Sequence, residues 1–417
     1  MTRAVAVLIL TIYSTFAGAD DWPAWRGPTG QGYCSEKNLP MKWSDKENVK
    51  WKVLLDHPAY STPIVWGDKI FLTMGTPDGS VRSLYALSRT DGKQLWKADV
   101  KYGEKEQRWG NYPYCHASPV TDGERVVVSF GSAGMYCYDF AGKEVWSRTD
   151  LGRWEHSFGN ASSPVIHGDL CMLWCGPNES KGRNFLLAVD KKTGKTVWEH
   201  DEKAGSWATP VIAKIEGRDQ LVLGMGPHLK GFDPNTGREL WLCNGLTSTG
   251  VASHIYASPL VSNGFAVAMS GYGGAGMGPN GMGIKLGGSG DITKNRLWQH
   301  SRNHQRVGSG VIVGDHCYIL EDNGIPRCYE LTTGKQVWNV EKRPTVYNWG
   351  SMVHADGKLY VMARDARTII FAASPKYELL ATNTLGQGEV TNSSLAISNG
   401  EIFLRTTRHL WCISGKK

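Results

Sequence analysis

Short apolar runs, each led in by a small residue and then Ser or Thr, recur along this 417-residue chain. The lead-ins are Ser61-Thr62-Pro63, Ala117-Ser118-Pro119, Ser162-Ser163-Pro164, Ala208-Thr209-Pro210, Ala257-Ser258-Pro259, Gly308-Ser309-Gly310, Gly350-Ser351-Met352 and Ser393-Ser394-Leu395. Their separations are 56, 45, 46, 49, 51, 42 and 43 residues. Within a unit the pattern reads as four strands. In the third, Val165-Ile166, Leu170–Trp174, Phe185–Asp190 and Thr196-Val197-Trp198 are apolar runs split by Gly- and Asp-bearing turns. Runs of β-branched and aromatic residues between such turns are strands joined by hairpins. A period of about 40–50 residues with several strands per unit marks a β-propeller. No sustained 3.6-residue period appears beyond the N-terminus, so almost no helix is expected.

The unit ends as regularly as it begins. Thr-Gly-Lys or a variant, two residues and Trp recur as Asp91-Gly92-Lys93 to Trp96, Ala141-Gly142-Lys143 to Trp146, Thr193-Gly194-Lys195 to Trp198, Thr236-Gly237-Arg238 to Trp241 and Thr333-Gly334-Lys335 to Trp338. The fifth unit keeps only Leu297-Trp298, and the seventh has Leu379-Leu380 in place of Trp. A ring at the start of each outer strand can wedge between neighbouring units and bury some 150–250 Å². Most of the 17 Trp are therefore expected to be architecture. The eighth unit stops after three strands, while Val49-Lys50-Trp51-Lys52 stands unpaired before the first. Pairing that strand with the last three closes the ring and removes exposed edges. The expected fold is all-β: an eight-bladed β-propeller of four-stranded antiparallel blades over residues 43–414, preceded by an extension at 20–42.

The ending Ala188-Val189-Asp190-Lys191-Lys192-Thr193-Gly194-Lys195-Thr196-Val197-Trp198 resembles the tryptophan-docking repeat of pyrroloquinoline-quinone (PQQ)-type propellers. Trp22-Pro23-Ala24-Trp25-Arg26-Gly27-Pro28, with Lys42-Trp43-Ser44 after it, is similar to the opening of a group of secreted bacterial propellers with PQQ-like repeats. The resemblance implies kinship with quinoprotein alcohol dehydrogenases and with the propeller lipoprotein of the outer-membrane β-barrel assembly machinery.

Residues 1–19 read as a cleavable secretory signal. Arg3 precedes the apolar run Ala4–Phe16, and Ala17-Gly18-Ala19 supplies small residues before a cut at Asp20. Its loss would take the formal charge from +7 to +6, as 45 basic minus 39 acidic residues. Gln31-Gly32-Tyr33 ahead of Cys34 is no lipobox. A monomer in the periplasm or outside the cell, with no transmembrane segment after cleavage, is expected. Nine cysteines are an odd number, so one at least is left over from intramolecular pairing. Cys171 and Cys175 on one strand stand about 13 Å apart, too far to bridge. Cys317 and Cys328, symmetric about Asp322-Asn323, either face each other across a hairpin or lie as two buried thiols.

Chemistry is thin. Gly276-Met277-Gly278-Pro279-Asn280-Gly281 matches a dinucleotide fingerprint in spelling only, because no strand-to-helix context surrounds it. His300 and His304 have ligand-like spacing, but i and i+4 converge only on a helix. The segments joining consecutive units emerge on one face and carry His57, His116, His156, His200, His254, His300 and His304, with Arg108, Arg153, Arg302, Arg306 and Arg343. Three residues before each Pro-equivalent position, at the expected channel mouth, stand Tyr60, His116, Ala161, Trp207, Tyr256, Val307, Trp349 and Asn392. Aromatic rings with convergent polar groups in a concave mouth make a ligand site. The binding candidates are Tyr60, His116, Asn160, Trp207, His254, Tyr256, Arg306, Trp349 and Asn392.

The function expected is that of an exported binding scaffold for a protein or carbohydrate partner of anionic character, with no nucleic acid, no catalytic residues and no cofactor. Two alternatives compete. A PQQ- and Ca²⁺-dependent dehydrogenase would need carboxylate and amide oxygens at the mouth, where Glu155, Glu389, Asn111, Asn160 and Asn392 are the nearest candidates. A hydrolase or lyase of anionic polysaccharide is suggested by the basic, His-rich face.

Overall fold

The computed structural model describes residues 21–154, 156–178, 182–246, 255–269, 280–301, 307–340 and 343–415. Eight antiparallel sheets follow one another around an axis, in the order the repeats predict. In the first blade Ile64–Trp66, Lys69–Gly75, Val81–Ser88 and Gln94–Lys101 pair in sequence from axis to rim. The sixth blade holds its outer segment by a single bridge, Tyr329 to Gln336. Two three-residue 3₁₀ turns, Gly131–Ala133 and Thr293–Asn295, are the only helices among the described residues. None is long and apolar enough to cross a membrane.

The Ser or Thr of every lead-in has one job. Its hydroxyl accepts the backbone N–H of the equivalent residue in the preceding blade: Thr62 to Ser118, then Ser163, Thr209, Ser258, Ser309, Ser351, Ser394 and back to Thr62, at 2.8–3.0 Å. Inner strands are splayed around a channel and cannot pair with one another. A hydroxyl carried on Cβ bridges the gap that a backbone ladder leaves, and so meets the demand that buried N–H groups be satisfied. The repeat seen in the sequence is this closed ring.

The Trp motif is the second, outer fastening. The indole Nε1 of Trp51, Trp96, Trp146, Trp198, Trp298 and Trp338 donates to a turn carbonyl of the next blade: Arg89, Phe140, Lys191, Pro234, Leu331 and Ser374 respectively. In five of these turns, all but that of Ser374, a Gly lies flat on the ring. At Gly194, φ is +70° and a Cβ would sit 2.7 Å from Trp146, so both conformation and space select glycine. Trp241 differs, since the fifth blade lacks the turn. Its Nε1 bonds Gln220 of its own blade at 2.7 Å, and Gly290-Asp291 pair in parallel beside Trp241-Leu242.

The ring closes as expected. Val49–Leu54 pairs antiparallel with His409–Ser414, completing the eighth blade of Ala396–Ser398, Glu401–Arg405 and His409–Ser414. The extension is a strap rather than an appendage. Trp22 bridges Val65 in the first blade, Pro23 accepts from Thr121 in the second, and Gln31 accepts from Val261 in the fifth. Arg26 donates to Gly310 in the sixth, and Tyr33-Cys34 pair in parallel with His354-Ala355 in the seventh. The strap thus crosses the channel on the face opposite the interblade loops, with Trp22, Leu39 and Trp43 buried in the core.

The structure decides between the two readings of Cys317 and Cys328 in favour of two buried thiols, and it corrects the placing of two histidines. Cys317 pairs with Tyr329, and Tyr318 with Cys328, a register one residue away from the symmetric one. That slip puts the two thiols on opposite faces of the sheet, in separate clusters, and no disulfide joins any of the nine cysteines. His200 and His300 belong to outer strands, not loops; they pack on Phe232 and on Trp298 and Tyr329. The last glycine of the fingerprint-like run opens strand Gly281–Lys285, where Gly283 makes room for the Trp298 indole. Residues 270–279, with the rest of that run up to Pro279, lie outside the described residues.

Candidate functional site

On the interblade-loop face the inner strands open into an axial cavity of about 340 Å³. All eight positions three before the Pro-equivalent line it: Tyr60, His116, Ala161, Trp207, Tyr256, Val307, Trp349 and Asn392. They converge because each begins an inner strand at the same height, and eight-fold repetition turns one position into a circle. Beneath them the hydroxyl ring contributes Thr62, Ser118, Ser163, Thr209, Ser351 and Ser394. Trp25 of the strap lines the same cavity from the far side.

Ring-to-ring contacts fix the walls. Trp207 stacks on Tyr256 with centroids 4.5 Å apart, and His156 meets Trp207 edge-on at 4.3 Å. Tyr60 stacks on His116 at 5.5 Å. Tyr112, from the loop between the first two blades, touches Tyr60, Phe158 and, across the axis, Trp349. The Arg364 guanidinium lies 4.0 Å over Trp349 and donates to Asn392 Oδ1 at 3.2 Å. Burial in the wall, reinforced by the nearby Arg82, pushes His116 down to about 4, so it is a neutral ring at pH 7. Burial, and then Tyr112, pushes Tyr60 up.

Of the nine binding candidates, Tyr60, His116, Trp207, Tyr256, Trp349 and Asn392 are brought together here. Asn160 stands beside the cavity in a side pocket, its amide spent on the Gly176 carbonyl. His254 and Arg306 lie outside the described residues, as do Glu155, Arg302 and His304. Tyr112, Phe158 and Trp25 were missed. They reach the axis from a loop and from the strap, which carry no repeat to betray them.

The arrangement can stack on flat or ring-shaped groups and donate hydrogen bonds. No carboxylate lines it among the described residues. Glu389 is turned away to His409 Nδ1 at 2.6 Å and to Lys52, and Asn392 already serves Arg364. A quinone held with a divalent cation needs several carboxylate and amide oxygens, and these residues do not fit it. Among the described residues the cavity also holds no pair of carboxylates such as polysaccharide hydrolysis uses. Elsewhere, His200, Glu202 and Glu239 cluster, but the Lys230 ammonium already sits among them, paired with both carboxylates.

Residues 82–340 match the family described as outer membrane protein assembly factor BamB. Quinohemoprotein alcohol dehydrogenase ADH-IIG of Pseudomonas putida is 25% identical over 192 residues, covering 43% of this chain and 26% of that protein. The chain thus spans about a quarter of the curated relative it matches. Among solved structures, BamB from Moraxella catarrhalis superposes with a TM-score of 0.59 at 14% identity, over 88% of this chain and 96% of that one. A europium-containing methanol dehydrogenase gives 0.63 at 11%, over 92% and 89%. At such identities the solved structures show the fold alone.

Proposed function

The chain belongs to the family of outer membrane protein assembly factor BamB, and from that premise we propose that it is an exported docking scaffold. Its interblade-loop face would hold a protein partner in the periplasm or outside the cell. One observation carries this reading. Of the nine large apolar side chains exposed among the described residues, Trp109, Phe158, Tyr347 and Val390 lie in interblade loops, and Leu54 ends the outer strand that leads into one, which puts all five on this face. The other four, Leu95, Val145, Val197 and Leu297, are spread singly round the rim, each one residue before a docking Trp. Exposed aromatics gathered at one face are what partner anchors look like. Arg108 and Arg343 in the same loops favour an acidic partner, whereas Arg153 is already paired with Glu104.

A photo-crosslinking residue placed at Tyr347, and separately at Lys335 on the opposite turns, tests the reading in producing cells. Defined protein adducts are expected from Tyr347 and not from Lys335. The pair Trp109→Ser and Tyr347→Ser should reduce capture by about tenfold or more, with the melting temperature unchanged. Adducts only from Lys335 would assign the wrong face, and retention on a glycan array without protein adducts would replace protein by carbohydrate.

That no carboxylate lines the cavity among the described residues favours the reading without a cofactor. With PQQ and Ca²⁺ added, the purified chain should not reduce an artificial electron acceptor at the expense of simple alcohols or sugars. Sustained alcohol-dependent turnover would move the reading to a dehydrogenase.

A further inference from the structure

The hydroxyl ring is half used. Each of its eight oxygens accepts one backbone N–H, and none donates to another protein group among the described residues. A Ser or Thr hydroxyl carries one proton as well as its lone pairs. With the N–H approaching from the neighbouring blade, six of these protons, on Thr62, Ser118, Ser163, Thr209, Ser351 and Ser394, belong to side chains that face the axial cavity. The floor of that cavity is therefore a circle of donors with no acceptor opposite them.

Two buried guanidinium groups stand next to this circle without a counter-ion. Arg405, fully buried, donates to the Ser61 carbonyl and Oγ, the residue before Thr62. Arg26, also fully buried, donates to the Gln31 carbonyl and to the carbonyl of Gly310, the residue after Ser309. Neither pairs with a carboxylate among the described residues, and Nε and Nη1 of Arg26 and Nε and Nη2 of Arg405 have no hydrogen-bond partner. Burial pushes both down to about 9, so both are charged at pH 7. Backbone carbonyls offset these charges only in part; neither guanidinium lines the cavity, but each bonds a residue next in sequence to a ring hydroxyl, so an anion held on the axis would be favoured by both.

We propose that the hydroxyl ring is an anion site on the propeller axis, taking a small singly charged group, with carboxylate as the ligand class. The choice of a single charge follows from the donors. Neutral hydroxyls make the contacts while the guanidiniums act through the field, whereas a doubly charged phosphate or sulfate loses more hydration and is matched by a bidentate Arg. The carboxylate has two sources: a free small acid, or an acidic side chain or chain end reaching in past Trp207 and Tyr256. The docking reading does not depend on this site, and the test below uses no partner protein, so the two fail separately.

Thermal melts at pH 7 and constant ionic strength, with acetate replacing a bulky sulfonate, read the site directly. A saturable rise on the order of 2 °C at tenfold excess over Kd is expected with acetate, and less with sulfate. Ser163→Ala with Ser351→Ala should weaken acetate about tenfold, read as a shift of the half-saturating concentration whatever the basal stability. Arg405→Met leaves every ring hydroxyl in place and should weaken it similarly. A crystal soaked in bromide should show anomalous density on the axis beside the six hydroxyls. An acidic hexapeptide binding where acetate does not would assign the carboxylate to a partner chain. No acetate-specific rise, no axial bromide and no peptide binding, or undiminished binding in both variants, would overturn the proposal.

Discussion

Removing residues 21–54 should abolish the cooperative melt of the propeller or lower its midpoint by about 10 °C or more. The deletion strips Val49–Leu54 from His409–Ser414 and leaves the last blade with an open edge, a template for aggregation. It also takes away Trp51, whose indole ties the eighth blade to the Arg89 carbonyl of the first at 2.9 Å, and the strap that spans blades on both sides of the channel. A ring differs from an open array in one respect. Cutting it once frees both ends, so the loss spreads beyond the blade that is cut. Circular dichroism against temperature, with limited proteolysis of residues 386–415, measures it. An unchanged single transition, with the last blade still protected, would show that closure contributes nothing.

Trp198→Ala should cost about 3–5 kcal/mol in a urea melt, as large aromatic truncations in cores do, whereas its neighbour Val197→Ala should stay within about 0.5 kcal/mol. The two side chains leave one strand on opposite faces. Trp198 is 7% exposed and lies between the third and fourth blades, with Gly237 against its ring and the Pro234 carbonyl on its Nε1. Val197 is 50% exposed on the rim. The contrast tests the docking role of the motif rather than hydrophobicity in general. Equal losses at the two positions would mean that the strand, and not the indole, carries the interface.

The fold was legible because an eight-fold repeat states each requirement eight times. Thr62 and its seven equivalents, and the six indoles docked on the next blade, recur at fixed places. Even the exception is written in the chain: without a Thr-Gly-Lys turn in the fifth blade, Trp241 has no carbonyl to reach and turns to Gln220. The mouth was legible for the same reason, since Tyr60, Trp207, Tyr256 and Trp349 occupy one repeat position. Cys317 and Cys328 were not, because a hairpin register differing by one residue reverses the faces, and composition does not set the register.

By itself, then, the sequence determined the blade count, the closing strand and which ring of residues surrounds the axis, all consequences of local periodicity that any copy of the unit reveals. Only the tertiary structure decided how the parts that do not repeat are used. The strap of Trp22–Cys34 crosses the channel through a few short contacts to blades that lie hundreds of residues apart in sequence. Tyr112 reaches over the mouth to Trp349, and Arg26 and Arg405 come to stand beside the hydroxyl ring without a carboxylate. These placements arise from chain ends and loops whose positions follow from closing the circle, and no pattern of neighbouring residues encodes a contact that forms only once eight blades are in place.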